Sequence, residues 1–128
     1  MGVIGVDFGL KKVGVAFADG GLAEPLEVIR YKDESVLIDE IGEVIKDKQV
    51  EKVIVGVSRG KMGQMSREFG RRLGKNLGIE VEYWDEAFSS KDAQMRAIEG
   101  GMKRKKRKQM EDAYAAAVIL QGYLDSKL

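Results

Sequence analysis

Val3-Ile4-Gly5-Val6-Asp7-Phe8-Gly9-Leu10-Lys11-Lys12-Val13-Gly14-Val15-Ala16-Phe17-Ala18 reads as two apolar, β-prone segments joined by a glycine turn. Val3 to Phe8 is interrupted only by Gly5 and Asp7, and Lys12 to Ala18 alternates around Val13, Val15 and Phe17. Such runs are the signature of strands. Gly9 to Lys11 leaves room only for a turn, so the two strands are expected to pair antiparallel. Asp19-Gly20-Gly21 is a second turn signal, and Leu26 to Tyr31, after Pro25, reads as a third strand. The chain therefore opens with an antiparallel meander that carries a carboxylate, Asp7, inside its first strand.

Outward from the meander the period changes. Leu37, Ile41, Val44 and Ile45 recur at helical spacing, with Asp33 or Ser35 available as N-cap. Val50 to Val57 is a nearly continuous apolar run, as suits a strand buried on both faces. Met65, Phe69, Leu73 and Leu77 mark a second helix that Gly78 ends. Ile79 to Trp84 is a fifth strand. A third helix is expected from Ser89 or Ser90 to Glu99, before Gly100-Gly101, and a last helix over about Met110 to Leu124. The order β-β-β-α-β-α-β-α predicts an α/β fold: a mixed five-stranded sheet, three strands in an antiparallel meander and then parallel strands, flanked by helices. No repeat or internal boundary divides residues 1–128, which are expected to form a single domain.

Composition limits the chemistry. Cysteine and histidine are both absent, which removes disulfides, thiolate and imidazole zinc sites, and serine–histidine catalysis. A bound metal would see oxygen ligands, the donor set of magnesium or manganese. No segment reaches the ~20 apolar residues of a membrane span, and the N-terminal residues lack a signal-peptide layout. A cytoplasmic protein with no membrane contact is expected.

Three acidic positions stand out. Asp7 is placed in an apolar strand, where a carboxylate is costly unless paired or metal-bound; the plain alternative is a turn hydrogen bond at a strand end. Asp85 and Glu86 follow the fifth strand, in the loop position where binding groups concentrate. Glu111 and Asp112 open the last helix, where the macrodipole alone favours acids. Ala113, Ala116, Ala117, Leu120 and Leu124 make one apolar stripe of that helix, with Asp112 at its edge and Glu111 turned toward solvent. The small alanines would let the helix approach the sheet closely. Three acids from distant segments, without histidine, fit a two-metal phosphodiesterase site.

The net charge of +1 conceals an asymmetry. Lys103, Arg104, Lys105, Lys106, Arg107 and Lys108 are six consecutive cations, and without them the chain would carry −5. Runs of like charge are usually solvated. This one lies just ahead of Asp112 with no acidic block beside it, so backbone phosphates are its expected counterpart. Lys11 and Lys12 in the first turn, and Arg59 in the glycine-rich loop after the fourth strand, are further candidate phosphate contacts.

As a set these motifs resemble the YqgF/RuvX family, whose members are described as Holliday junction resolvases and as nucleases of precursor 16S rRNA. The resemblance rests on the motif from Asp7 to Ala16, on Trp84-Asp85-Glu86-Ala87-Phe88-Ser89-Ser90, on Pro25-Leu26-Glu27-Val28-Ile29, and on the basic run followed by Asp112-Ala113, Ile119-Leu120-Gln121 and Tyr123-Leu124-Asp125. It implies a ribonuclease H-like fold with Asp7, Glu86 and Asp112 as metal-binding, catalytic acids and Mg2+ or Mn2+ as cofactor. The implied partner is structured RNA or branched DNA, met by a monomer or homodimer. Leu10 stands where the family has Thr or Ser, Ala87 where it has Arg, and Ser58 to Gly60 where it has Pro and Asn. The competing reading is a catalytically weakened nucleic-acid-binding module of the same fold. An actin-like ATPase shares the early Asp-x-Gly, but it needs two lobes around its nucleotide, more than 128 residues supply.

Overall fold

A glycine-rich hairpin begins the fold. β1 (Gly2–Asp7), β2 (Lys12–Ala18) and β3 (Glu24–Arg30) form the meander, and α1 (Glu34–Lys48) then leads into β4 (Val50–Val57). Next come α2 (Lys61–Leu77), β5 (Glu80–Asp85), a 3-10 turn (Glu86–Phe88) and α3 (Glu111–Asp125). The structure, a computed structural model, describes residues 2–88 and 108–128. The helix expected from Ser89 to Glu99 lies outside the described residues. The sheet order is β3-β2-β1-β4-β5; β1–β2 and β2–β3 are antiparallel, β1–β4 and β4–β5 parallel. This is the mixed five-stranded sheet expected from the sequence.

Strand alternation divides the core in two. Val6, Val13, Val15, Val53 and Val55 pack with Leu37 and Ile41 of α1 and Phe69 and Leu73 of α2. Ala16, Ala18 and Ile54 point the other way and pack with Ala116, Ala117, Ile119 and Leu120 of α3. β4 is covered on both faces, as its continuous apolar run requires. Glycines and alanines bring α3 close: a methyl group on Gly5 would lie 2.8 Å from the Ala116 carbonyl oxygen.

The sequence signals place most boundaries within one or two residues. Asp33 is the N-cap of α1, accepting the Ser35 backbone N–H at 2.9 Å and its hydroxyl at 2.8 Å, and Gly78 ends α2 at φ 63°. Three boundaries differ. β3 begins at Glu24 and includes Pro25, a residue confined to edge strands such as this one. Tyr31 leaves β3, and its hydroxyl donates to the Gly9 carbonyl at 2.6 Å, bracing the β1–β2 turn. Asp85, expected just past the fifth strand, is the last residue of β5, opposite Val57.

The far end of α3 is anchored by Tyr123. The Lys52 ammonium lies 3.1 Å from its hydroxyl, 3.0 Å from Glu80 and 3.4 Å from Glu82. Hydrogen bonding from Tyr123, with help from Lys52, holds the Glu82 carboxyl below its ordinary value of 4.5. A depressed carboxyl adds stability above that value and loses it as pH falls through the lower folded one. Tyr123→Phe is therefore expected to lower stability near neutrality, with the difference from the parent shrinking as pH falls through the depressed folded value. Equilibrium unfolding between about pH 3 and 7 measures this; no difference near neutrality, or one that stays constant toward acid, would contradict it.

Candidate active site

Asp7 ends β1 directly opposite Gly14 of β2. It has the parity of Gly5, which faces α3, so its side chain leaves the sheet on the face α3 covers. Gly14 faces the same way, and a methyl group there would collide with the backbone carbonyl of Asp112. The first turn of α3 thus rests on Gly14, beside the strand position of Asp7. Within that turn Glu111 is exposed and Asp112 half-buried, as the helical stripe indicated. Lys12, two residues before Gly14 and on the same face, places its ammonium 3.0 Å from Asp112 Oδ2.

The two acids at the end of β5 differ in setting. Asp85 Oδ1 accepts the Ala87 backbone N–H at 2.9 Å, tying the carboxylate to the 3-10 turn. Glu86 opens that turn, half-buried. Two residues earlier, the Trp84 ring of β5 meets Tyr123 of α3 edge-on at 6.1 Å. β4 stands between β1 and β5, so Glu86 is about two strand spacings, roughly 10 Å, from β1 at the backbone. Among the described residues no three metal-ligating side chains are grouped closely enough to hold an ion as they stand. The structure brings Asp7 and Asp112 together around Gly14 and leaves Glu86 across β4.

The candidate phosphate contacts are spread around this end of the sheet. Lys11 is exposed in the β1–β2 turn and Arg59 in the β4–α2 loop. Lys108 is exposed just ahead of α3. Lys103, Arg104, Lys105, Lys106 and Arg107 lie outside the described residues. One cation escaped the sequence reading: Arg30, directly opposite Lys12 across the β2–β3 pairing. The register that reveals it depends on an irregularity between Val15 and Ala16, which residue patterning does not show. Exposed Leu10 and Phe88 flank the same end.

The donors fit a hard divalent cation. Asp7, Glu86 and Asp112 offer only carboxylate oxygens, and the chain contains neither histidine nor cysteine.

Residues 1–126 match the family model described as "RuvX: Holliday junction resolvase". The chain belongs to the RuvX family. Among RuvX-family relatives, one from Bacillus cytotoxicus is 39% identical and one from Bacillus mycoides 41%; each match covers 99% of this chain and 100% of the relative. Both are named "Putative pre-16S rRNA nuclease". Thermus thermophilus RuvC, solved with a Holliday junction substrate, superposes with a TM-score of 0.68 at 18% identity, covering 98% of this chain and 96% of that one. The Fowlpox virus resolvase, in complex with Holliday junction DNA, gives 0.62 at 14%, with 100% and 99% covered. The fold is therefore the RuvC-like form of the ribonuclease H fold, as the motif resemblance implied. Among the described residues no helix is long and apolar enough to cross a membrane.

Proposed function

We propose that this RuvX-family chain is a single-domain, metal-dependent endonuclease that hydrolyses phosphodiester bonds in structured nucleic acid, with Asp7, Glu86 and Asp112 as its metal-binding acids. The observation that carries the reading is the meeting of Asp7 and the first turn of α3 at Gly14, which places two carboxylates at one end of the sheet. Mg2+ or Mn2+ bound there would stabilise the attacking and leaving oxygens of an in-line displacement. Asp7 and Asp112 supply ligands from the β1 side and Glu86 from the β5 side. Lys11, Lys12, Arg59 and Lys103 to Lys108 neutralise backbone phosphates and orient the strand across the sheet end.

Precursor 16S rRNA is the substrate we place first, because the relatives at 39% and 41% identity carry that name. A four-way DNA junction is second; the resolvases that bind it share the fold at 18% and 14% identity. Symmetric junction resolution would require a homodimer, whereas trimming an RNA end needs only a monomer. Such processing would be cytoplasmic. Ala87, exposed where the family has Arg, favours a slower enzyme or a binding module as the competing reading.

The test offers precursor rRNA and junction DNA in parallel, with Mg2+, with Mn2+ and with chelator. Discrete cleavage of the RNA that stops on chelation is expected. Binding without cleavage under every condition would establish the binding module instead. Replacing four cations of the 103–108 run by Gln should flatten the salt dependence of binding by a log–log slope of about 3; an unchanged slope would leave that run as a solvated loop.

A further inference from the structure

Lys12 and Arg30 are directly opposite across the β2–β3 ladder. Their neighbours Val13 and Ile29 both enter the core shared with α1 and α2, so the two cations share the opposite face, the one α3 covers. Like charges at opposed positions destabilise a sheet unless an anion lies between or beside them. Asp112 meets the charge of Lys12 at 3.0 Å. Arg30 is exposed, and its guanidinium has no ion pair among the described residues. Among the described residues the arrangement is one anion short, at the rim of the acids that would hold metal.

The Lys12–Asp112 pair also stands in the way of a cation. An ammonium 3.0 Å from Asp112 Oδ2 repels a divalent ion approaching the same oxygen and uses one of its acceptor directions. The lysine side chain is 42% exposed, and its flexible stem can swing to another anion. A phosphate seated between Lys12 and Arg30 satisfies both cations and draws the ammonium off the carboxylate.

We propose that Lys12 and Arg30 form a phosphate clamp beside the carboxylates, and that Lys12, held on Asp112 in the free protein, is released to the phosphate when nucleic acid binds, opening Asp112 to metal. This rests on the reading of Asp7, Glu86 and Asp112 as a metal site. Nucleic acid and metal then reinforce each other's binding by the same factor, as linkage demands. Lys12 acts as a positioning residue: it sets when Asp112 is available.

Calorimetric titration with MnCl2 tests this on the full chain without any cleavage readout. The parent, Lys12→Gln, Lys12→Arg and Arg30→Gln are titrated alone and again with a nuclease-resistant phosphorothioate RNA strand, with circular dichroism to confirm folding. Alone, Lys12→Gln should bind Mn2+ roughly tenfold tighter than the parent, and Lys12→Arg, which keeps the ion pair, like the parent. With the RNA strand the parent should gain roughly tenfold in Mn2+ affinity, Lys12→Gln little, and Arg30→Gln an intermediate amount. Unchanged or weaker Mn2+ binding by Lys12→Gln alone overturns the proposal, as does an equal RNA-induced gain in parent and Lys12→Gln. No Mn2+ binding by any of the four overturns it together with the metal site. Expected affinities with no cleavage by the parent would remove the nuclease reading and leave the clamp; cleavage with unchanged affinities would do the reverse.

Discussion

Asp7→Asn should lower metal-dependent cleavage by about a thousandfold or more while leaving thermal unfolding close to the parent's. The substitution keeps volume and hydrogen-bonding shape but removes the charge that a divalent cation requires. Asp7 is half-buried at the end of β1, outside the two apolar clusters of the core, so the amide disturbs little packing. Single-turnover cleavage and a melting curve on the same preparation measure both halves. Cleavage within tenfold of the parent would remove Asp7 from the mechanism; loss of folding would make it a structural residue.

Gly14→Ala should cost about 3 kcal/mol of stability, at the upper end for overpacking, and most of the activity with it. The added methyl group meets the backbone carbonyl of Asp112, and backbone cannot rotate aside as a side chain can. Either α3 lifts from the sheet, carrying Asp112 away from Asp7, or β2 bends. Gly21→Ala is the matched control: nothing lies within 4 Å of its added methyl, and a change within about 0.5 kcal/mol is expected. Urea unfolding separates the two. Equal, small effects would mean that α3 does not rest on Gly14.

The meander, β4 and both flanking helices were legible because each signal is local. Val13 and Val15 alternate, Val50 to Val57 is apolar throughout, and Asp33 and Gly78 are a cap and a stop. The placement of Asp112 at the edge of an alanine stripe was legible for the same reason, since one helical period fixes it. Local patterning did not show that Gly14 is the seat of α3, that Lys12 reaches Asp112, or that Arg30 stands opposite Lys12. Each depends on register or on a contact across about 100 residues of chain. The setting of Asp85 also escaped patterning, although its contact is local: its carboxylate accepts the Ala87 N–H and is tied into the turn.

In the proposed function Asp7, Glu86 and Asp112 act as one cation site although β4 separates Glu86 from the other two. Thermal melts of the parent, Asp7→Asn, Glu86→Gln and Asp112→Asn with and without MnCl2 test it most directly, because a ligand of the folded state raises the melting temperature by an amount that grows with its affinity. A clear Mn2+-induced rise is expected in the parent and a smaller rise in each of the three variants. A rise in Glu86→Gln equal to the parent's, with Asp7→Asn and Asp112→Asn reduced, would restrict the site to the pair around Gly14. Equal rises in all four proteins would contradict the three-carboxylate site altogether.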